Sequence, residues 1–156
     1  MADTYTVERR TTIDAPPSAV FERIVDLHRW EAWSPWEDLD PELRKTYGGP
    51  GEGVGATYEW QGNRKAGEGK MEITDVEPDQ HVTIALSFLK PFKSESTTTL
   101  RLIPSGAGTE VVWHLEGPAT FMTKLIGIFK PMDKMIGPDF EKGLRQLKTD
   151  AEGARS

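Results

Sequence analysis

Residues 94–115 read SESTTTLRLIPSGAGTEVVWHL, two similar halves separated by a short run of turn residues. In both halves, charged or polar residues alternate with a second set of side chains that are mostly small or apolar, namely Ser96, Thr98, Leu100, Leu102, Val111, Trp113 and Leu115. A period of two is typical of a β-strand with one face buried and the other in water. The turn residues of Pro104–Gly108 separate the two halves, so the stretch predicts an antiparallel β-hairpin.

Four more segments outside this hairpin alternate in the same way. They are Thr4–Ile13, Ala56–Trp60, Gly69–Val76 and His81–Leu89. The segment 48–55, which reads GGPGEGVG, is too rich in glycine for a regular element and predicts a loop between strands. Together these segments predict an antiparallel meander with one wet face.

Helical patterns occur on both sides of the meander. Pro16 and Pro17 precede a short run in which apolar residues gather on one face, which predicts a short amphipathic helix. The following segment, 28–36, can form about one and a half turns before Pro35, and its three tryptophans require burial. Residues 118–151 have the helical period, and we expect a break near Lys130 and a new helix starting at Gly137–Pro138.

The composition excludes several classes of function. The 156 residues fit one domain with one core. The formal charge of −6 leaves no basic excess to hold nucleic acid, and the absence of cysteine excludes thiolate metal sites and a cysteine nucleophile. No apolar run approaches the ~20 residues that span a bilayer, and the first residues lack a signal-peptide pattern. We therefore expect a cytoplasmic protein without a transmembrane segment.

The order of the elements is α+β, and it leaves one layer of helix to cover the sheet. A curved sheet wrapped around a long helix is not filled completely on its concave side, so we expect an apolar cavity between them. The 5 Trp, 6 Phe and 5 Met residues suit an interior that encloses a space.

Three segments resemble the START-like superfamily, also called SRPBCC or Bet v 1-like: Ile13–Phe21, Trp30–Trp36 and Met132–Leu144. Within it, the chain is most similar to bacterial proteins described as polyketide cyclase/dehydrase and lipid transport, over nearly its whole length. The resemblance implies a helix-grip fold, in which a curved antiparallel sheet of about seven strands wraps around a long C-terminal helix, with two short helices after strand one. It also implies that residues 1–156 form a single ligand-binding domain with an internal pocket for a hydrophobic ligand, but it specifies no reaction.

Inward side chains of the strands and of the C-terminal helix are predicted to line this cavity. They are Tyr58, Trp60, Met71, Ile73, Ile84, Leu86, Phe88, Ser96, Thr98, Leu100 and Trp113 from the strands, and Met122, Leu125, Phe129, Met135 and Phe140 from the helix. The same residue types form ordinary cores, so the pattern alone leaves both interpretations open. Buried hydroxyls at Ser96 and Thr98 need partners, which the backbone, water or a ligand can supply.

Arg9 is the charged member of the predicted cavity set. It is in phase with Val7 and Ile13 on the first strand, so a regular register points its guanidinium inward, where it needs an anion such as a ligand carboxylate. A β-bulge within residues 9–12 would instead return it to solvent.

The remaining motifs do not indicate a catalytic, metal or nucleotide-binding site. His28, His81 and His114 fall beside element ends or on the wet face, where we expect solvated side chains. The HLE at 114–116 lacks the cysteines of a zinc deaminase, and the GEGVGA at 51–56 precedes a strand rather than the helix that a dinucleotide site requires. No catalytic residue, metal or cofactor is predicted.

Three hypotheses of function follow. The leading one is the binding or transport of a hydrophobic small molecule, lipid-like or polyketide-like, in the cavity. An alternative is a polyketide cyclase or dehydratase in which Tyr58, Ser96 or Arg9 handles protons in the same cavity. The third is contact with a membrane surface or a protein through the amphipathic segment 121–136, which carries lysines on its polar side.

Overall fold

The computed structural model describes residues 4–34, 42–62, 67–90, 94–118 and 132–153. Seven strands form one antiparallel sheet in the order β1-β7-β6-β5-β4-β3-β2. Their bounds are β1 Thr4–Ile13, β2 Arg44–Gly48, β3 Thr57–Gln61, β4 Glu68–Glu77, β5 His81–Lys90, β6 Ser94–Ser105 and β7 Gly108–Pro118. Helix α1 (Pro17–Ile24) and a 3₁₀ helix (Leu27–Ala32) follow β1, and helix α2 (Met132–Gly153) lies at the C-terminal end. The predicted α+β helix-grip architecture is confirmed.

The β6–β7 hairpin forms as the alternation predicts, but its turn is tighter than the predicted loop Pro104–Gly108. Ser105 pairs directly with Gly108, so only two residues make the turn. Gly106 has a φ of 60°, which glycine adopts without strain at the first central position of a type II′ turn. The strands therefore extend through positions that the sequence assigns to a loop.

Strand β2 is a strand that the sequence analysis did not identify. It is five residues long and pairs with β3 at one edge of the sheet. Lys45 and Tyr47 are its inward positions, and a lysine among so few residues hides the apolar alternation that identifies the longer strands.

The two short helices are joined by hydrogen bonds from tryptophan side chains. The Nε1 of Trp30 donates to the carbonyl of Ile24, and the Nε1 of Trp33 donates to the carbonyl of Arg23, both at 3.0 Å. The last carbonyls of a helix have no partner within the helix, so these indoles satisfy the end of α1. The predicted burial of the tryptophan-rich segment is confirmed for Trp30 and Trp33, which are buried.

Helix α2 is continuous through Pro138, so the predicted new helix start at Gly137–Pro138 is wrong. Proline removes its own N–H from the ladder and its ring crowds the carbonyl four residues earlier, but this cost is tolerated where tertiary packing holds the helix. Phe140, Leu144 and Leu147 provide that packing because all three are buried in the core. The predicted break near Lys130 lies outside the described residues.

The sheet is irregular where it must curve. The pairing of β4 with β5 shifts between Glu68 and Gly69 and again between Ile73 and Asp75, and such shifts increase the local twist and bend of a strand. Helix α2 packs mainly along β1, while α1 lies against β6 and β7. Among the described helices, none is both long enough and apolar enough to span a bilayer.

Candidate ligand site on the concave face

The concave face of the sheet can be traced as rows of paired residues that cross the strands. One row contains Val7, Leu115, Thr98, Ile84 and Ile73, linked by strand pairing from β1 to β4. We call it the covered row, because all five residues are buried and Ile73 and Ile84 have no exposed surface. A side chain with no exposed surface adjoins no space that a water molecule can enter, so this part of the face is solid core.

The neighbouring row is different. It contains Tyr5, Ser96, Leu86, Met71, Tyr58 and Tyr47, and we call it the accessible row. Ser96, Met71 and Tyr58 keep 8 or 9% of their surface exposed, and Leu86, Tyr5 and Tyr47 are only half-buried. One step further along the strands, Trp60 and Phe88 are half-buried as well. Burial of inward apolar side chains therefore decreases towards one end of the sheet.

Aromatic rings continue along this accessible end. The ring centroids of Tyr47 and Tyr58 are 5.1 Å apart, those of Tyr58 and Trp60 are 5.9 Å apart, and those of Trp60 and Phe88 are 5.6 Å apart. Gly69 lies opposite Trp60, and a Cβ there would stand 2.6 Å from the Trp60 ring. The absence of a side chain at Gly69 lets the indole lie against the strand, so the rings form a continuous apolar wall.

The opposite end of the concave face is closed by four large rings. Trp113 stacks on Phe140 of α2 with centroids 4.0 Å apart and planes 5° apart. Trp30 and Trp33 meet Trp113 edge-on at 5.9 and 5.5 Å. All four rings are buried, so sheet, 3₁₀ helix and α2 are in direct contact at this end.

The Thr98 hydroxyl has both of its hydrogen-bond partners within the protein. Its hydroxyl accepts a hydrogen bond from Trp113 Nε1 at 2.8 Å and donates to the carbonyl of His114 at 2.9 Å. The backbone and a neighbouring indole thus satisfy this buried hydroxyl, which the sequence left open between backbone, water and ligand.

Arg9 points towards α2, and no bulge interrupts the pairing of β1 with β7 from Thr4 to Ile13. The alternative of a bulge is therefore wrong. Arg9 donates to the carbonyl of Glu8 at 2.8 Å, and its Nε lies 3.5 Å from a carboxylate oxygen of Glu141 on α2. The guanidinium also packs on Gly137, where any Cβ would overlap it. Glu141 thus supplies an anion to Arg9 from within the chain.

The structure separates the predicted cavity residues into groups. Trp60, Leu86 and Phe88 are half-buried and Tyr58, Met71 and Ser96 are nearly buried at the accessible end. Ile73, Ile84, Thr98, Leu100, Trp113 and Phe140 are in the packed interior. Met122, Leu125 and Phe129 lie outside the described residues, as does most of the segment 121–136. The side chain of Met135 is also outside the described set.

A polar cluster that the sequence analysis missed ties β2 to the 3₁₀ helix. One carboxylate oxygen of Glu31 accepts from Lys45 Nζ at 3.2 Å and from the Tyr47 hydroxyl at 3.1 Å. The His28 ring stacks on Tyr47 with centroids 3.8 Å apart. The missed signal was the alternation of Lys45 with Tyr47 ahead of the glycine-rich loop. The hydrogen bonds from Lys45 and then Tyr47 lower the pKa of Glu31 below its ordinary value of 4.5.

Acidification is expected to remove the contribution of Glu31 to stability. Because its pKa is lowered on folding, the contribution is present above about pH 4.5 and is lost as the pH falls through the folded-state pKa. The Glu31 side chain is 54% exposed, so we expect the free energy of unfolding to differ by about 0.2 to 1 kcal/mol between wild type and Glu31→Gln at neutral pH. Urea unfolding of both proteins at several pH values from neutral to acidic measures this difference. A difference that does not shrink on acidification would show that it does not come from the ionised Glu31 carboxylate.

The histidines are polar surface residues, as predicted. His114 Nδ1 lies 3.2 Å from a carboxylate oxygen of Glu8 on the wet face, and this hydrogen bond lowers the pKa of Glu8. His81 Nε2 lies 2.9 Å from Asp75, and His28 is exposed. Within the described ranges, no group of three or more histidine and carboxylate side chains is arranged to hold a metal ion.

The sheet, the two short helices and the C-terminal helix define a protein of the helix-grip, Bet v 1-like class. Residues 4–152 match the family described as polyketide cyclase / dehydrase and lipid transport, and the chain belongs to this family. No curated protein matches the sequence.

Solved structures show the same fold at low sequence identity. Mll3558 from Rhizobium loti is 21% identical, with a TM-score of 0.64 over 94% of this chain and 97% of that chain. SA2116 from Staphylococcus aureus is 10% identical, with a TM-score of 0.71 over 99% and 97%. Ara h 8.0201 is 14% identical, with a TM-score of 0.63 over 97% of both chains. These similarities establish the fold alone.

Proposed function

We propose that the protein binds or carries a hydrophobic small molecule, lipid-like or polyketide-like, against the accessible end of the concave face. The observation that carries the proposal is the contrast between the two rows: inward side chains are covered on one row and retain exposed surface on the next. When a ligand covers apolar surface that is still exposed to water inside a protein, the burial of that surface favours binding. The description of the family supports the same class of ligand.

The proposed contact residues are those with surface left to bury: Tyr58, Trp60, Met71, Leu86, Phe88 and Ser96. A ligand that covers ~300 Å² of apolar surface gains several kcal/mol at about 25 cal/mol per Å² before the cost of association. Arg9 is not among these residues, because Glu141 and the Glu8 carbonyl hold its guanidinium. Met122, Leu125, Phe129 and Met135 remain predicted contributors from the sequence.

Replacing Leu86 with glutamine is expected to weaken binding by about tenfold or more. Leucine burial contributes ~1.5 to 3 kcal/mol, and an amide at this position loses that contribution and must also be desolvated. The matched control is Leu89→Gln, the same change three residues along β5 at a side chain that is 48% exposed. The affinity of wild type and of both variants is measured by the displacement of a fluorescent fatty acid. The competing compounds are fatty acids of several lengths and a multi-ring aromatic compound.

Native mass spectrometry of the purified protein accompanies this assay. We expect a retained or added ligand in the wild type and in Leu89→Gln, and a weaker signal in Leu86→Gln. The proposal is wrong if no probe of either chemistry binds the wild type, or if the two variants bind equally.

A second candidate, a cyclase or dehydratase, is favoured by the hydroxyl groups of Tyr58 and Ser96 on the same accessible row and by the family description. In this case the pocket would fold a reactive chain, and a hydroxyl would stabilise an enolate oxygen or transfer a proton. Turnover of a polyketide mimic that is lost in Tyr58→Phe while the mimic still binds would support it. Unchanged turnover would remove Tyr58 from the mechanism.

The expectations of a cytoplasmic location and of no nucleic-acid partner stay predictions. Contact with a membrane surface through residues 121–136 is also kept as a prediction. Co-sedimentation with anionic liposomes at low salt tests it, and a negative result would dismiss it.

A further inference from the structure

Two hydroxyl groups on the accessible row, those of Ser96 and Tyr5, are not used by the fold. Ser96 lies two residues before Thr98 on the same face of β6, and the Thr98 hydroxyl is bonded to Trp113 and to the His114 carbonyl. Among the residues that the structure describes, the hydroxyls of Ser96 and Tyr5 make no such bond. Equivalent groups on one concave face are therefore satisfied on the covered row and left open on the accessible row.

Ser96 is buried but can still be reached. Its surface is only 9% exposed, and a buried hydroxyl without a partner costs free energy of folding. Every fully covered side-chain oxygen or nitrogen in the described ranges has a hydrogen-bond partner. The Ser96 oxygen, which has none there, must therefore keep some accessible surface. A molecule that lies against the accessible row can reach it.

Gly117 on β7 brings the two hydroxyls to one place. It pairs with Tyr5 of β1, and a Cβ at Gly117 would stand 2.9 Å from the Tyr5 hydroxyl oxygen and 3.0 Å from the Cβ of Ser96. The absence of a side chain lets the phenol ring lie across β7 towards β6. Two hydroxyl donors from the two strands that flank β7 thus converge beside the same point of the concave face.

The surroundings of this hydroxyl pair favour an uncharged partner. The inward residues next to it on β1, β7 and β5 are Val7, Leu115 and Leu86, which are all aliphatic. A carboxylate buried among them would lack the compensating charge that a buried anion needs. A carbonyl oxygen has two lone pairs and can accept from both hydroxyls without that cost.

We propose that Tyr5 and Ser96 are the polar anchor of the ligand site, and that they bind an uncharged carbonyl oxygen, as in a ketone or an ester, at one end of a hydrophobic molecule. The apolar body of the ligand then extends over Leu86 towards the aromatic wall. This inference rests on the proposed function and adds the chemistry and the orientation of the ligand. A ligand without the oxygen leaves both hydroxyls unpaired in a site that it has closed to water, so the site discriminates against it.

The test compares methyl tridecyl ketone with the alkene in which a CH₂ group replaces its carbonyl oxygen, both as competitors of the fluorescent fatty acid. Tyr5→Phe and Ser96→Ala each remove one hydroxyl and keep the shape of the site. We expect each variant to bind the ketone about threefold to tenfold more weakly, the range for one neutral hydrogen bond, and the alkene as well as or better than the wild type does. Ser87→Ala, the same change on the wet face of β5, should alter neither affinity.

The infrared carbonyl band of the bound ketone reports the hydrogen bonds directly. We expect this band at a lower wavenumber in the wild type than in a hydrocarbon solvent, and a shift back towards the solvent value in each variant. Urea unfolding of the variants is the control for a structural role. Because the two hydroxyls hold no contact among the described residues, Ser96→Ala should be at least as stable as the wild type.

Three results would overturn the proposal. The first is equal affinity of the wild type and both variants for the ketone, in which case the proposed function stands because the apolar site still binds. The second is a larger loss for tetradecanoate, the carboxylate of matching length, than for the ketone, since the anchor would then hold a charged group. The third is a clear loss of stability in Ser96→Ala, which would assign the hydroxyl to the fold. If neither ketone nor alkene displaces the probe from the wild type, the proposed function fails together with this inference.

Discussion

Replacing Trp113 with alanine is expected to lower the free energy of unfolding by about 3 to 5 kcal/mol, the range for removing a large buried aromatic residue. Trp113 is 1% exposed, stacks on Phe140 of α2 and meets Trp30 and Trp33 edge-on. Its removal leaves a cavity where three elements meet. It also removes the indole N–H that donates to the buried Thr98 hydroxyl, which then keeps only its bond to the His114 carbonyl.

Trp113→Phe separates these two causes. Phenylalanine keeps a ring against Phe140 but loses the indole N–H, so we expect a smaller loss of about 1 to 3 kcal/mol. Urea unfolding followed by far-ultraviolet circular dichroism measures both variants, since this signal does not depend on the tryptophan that is removed. A loss below about 1 kcal/mol in Trp113→Ala would mean that the four rings do not close this end of the molecule.

Replacing Asp150 with alanine is expected to cost about 2 to 3 kcal/mol. Arg23 is almost fully buried, and Asp150 neutralises it at 2.9 Å. Removing one partner of a buried pair costs about 3 to 5 kcal/mol, because the other charge is left without compensation. The expected cost is lower here, because the Asp150 side chain is 34% exposed to water and a carboxylate oxygen of Glu22 remains 3.6 Å from Arg23 Nη1.

The double variant Arg23→Met/Asp150→Ala tests the cause. If the cost comes from an uncompensated buried charge, removal of Arg23 as well should restore much of the lost stability. Glu141→Ala is the control on the same helix, because Glu141 pairs with Arg9 at an exposed position and should cost about 1 kcal/mol or less. A double variant less stable than Asp150→Ala would show that Arg23 stabilises the protein mainly through other contacts, such as its bond to Ala19.

The alternation of polar and apolar residues was sufficient to predict the long strands, because each buries one face. It failed at β2, where an edge strand needs few apolar residues and Lys45 reaches Glu31 rather than solvent. It also misplaced the β6–β7 turn, since a glycine at positive φ permits a tighter connection than turn propensity suggests. Local patterns cannot report a partner that is distant in the sequence.

Contacts between residues that are distant in the sequence also explain the wrong predictions for the start of α2 and for the candidate site. Pro138 indicated a helix start, but packing of Phe140, Leu144 and Leu147 holds α2 together across it. The partner of Arg9 is Glu141, more than a hundred residues away, so no local pattern identified it. The inward set was predicted as one group, although only coordinates separate Ile84, which is fully covered, from Leu86, which is not.

A crystal structure of the protein soaked with the compound that best displaces the fluorescent fatty acid would show whether a ligand binds at the accessible end of the concave face. We expect ligand density in contact with Met71, Leu86 and Phe88, and none beside Ile73 or Ile84. An interior filled by the protein's own side chains at the accessible row, with the compound absent or bound elsewhere, would contradict it.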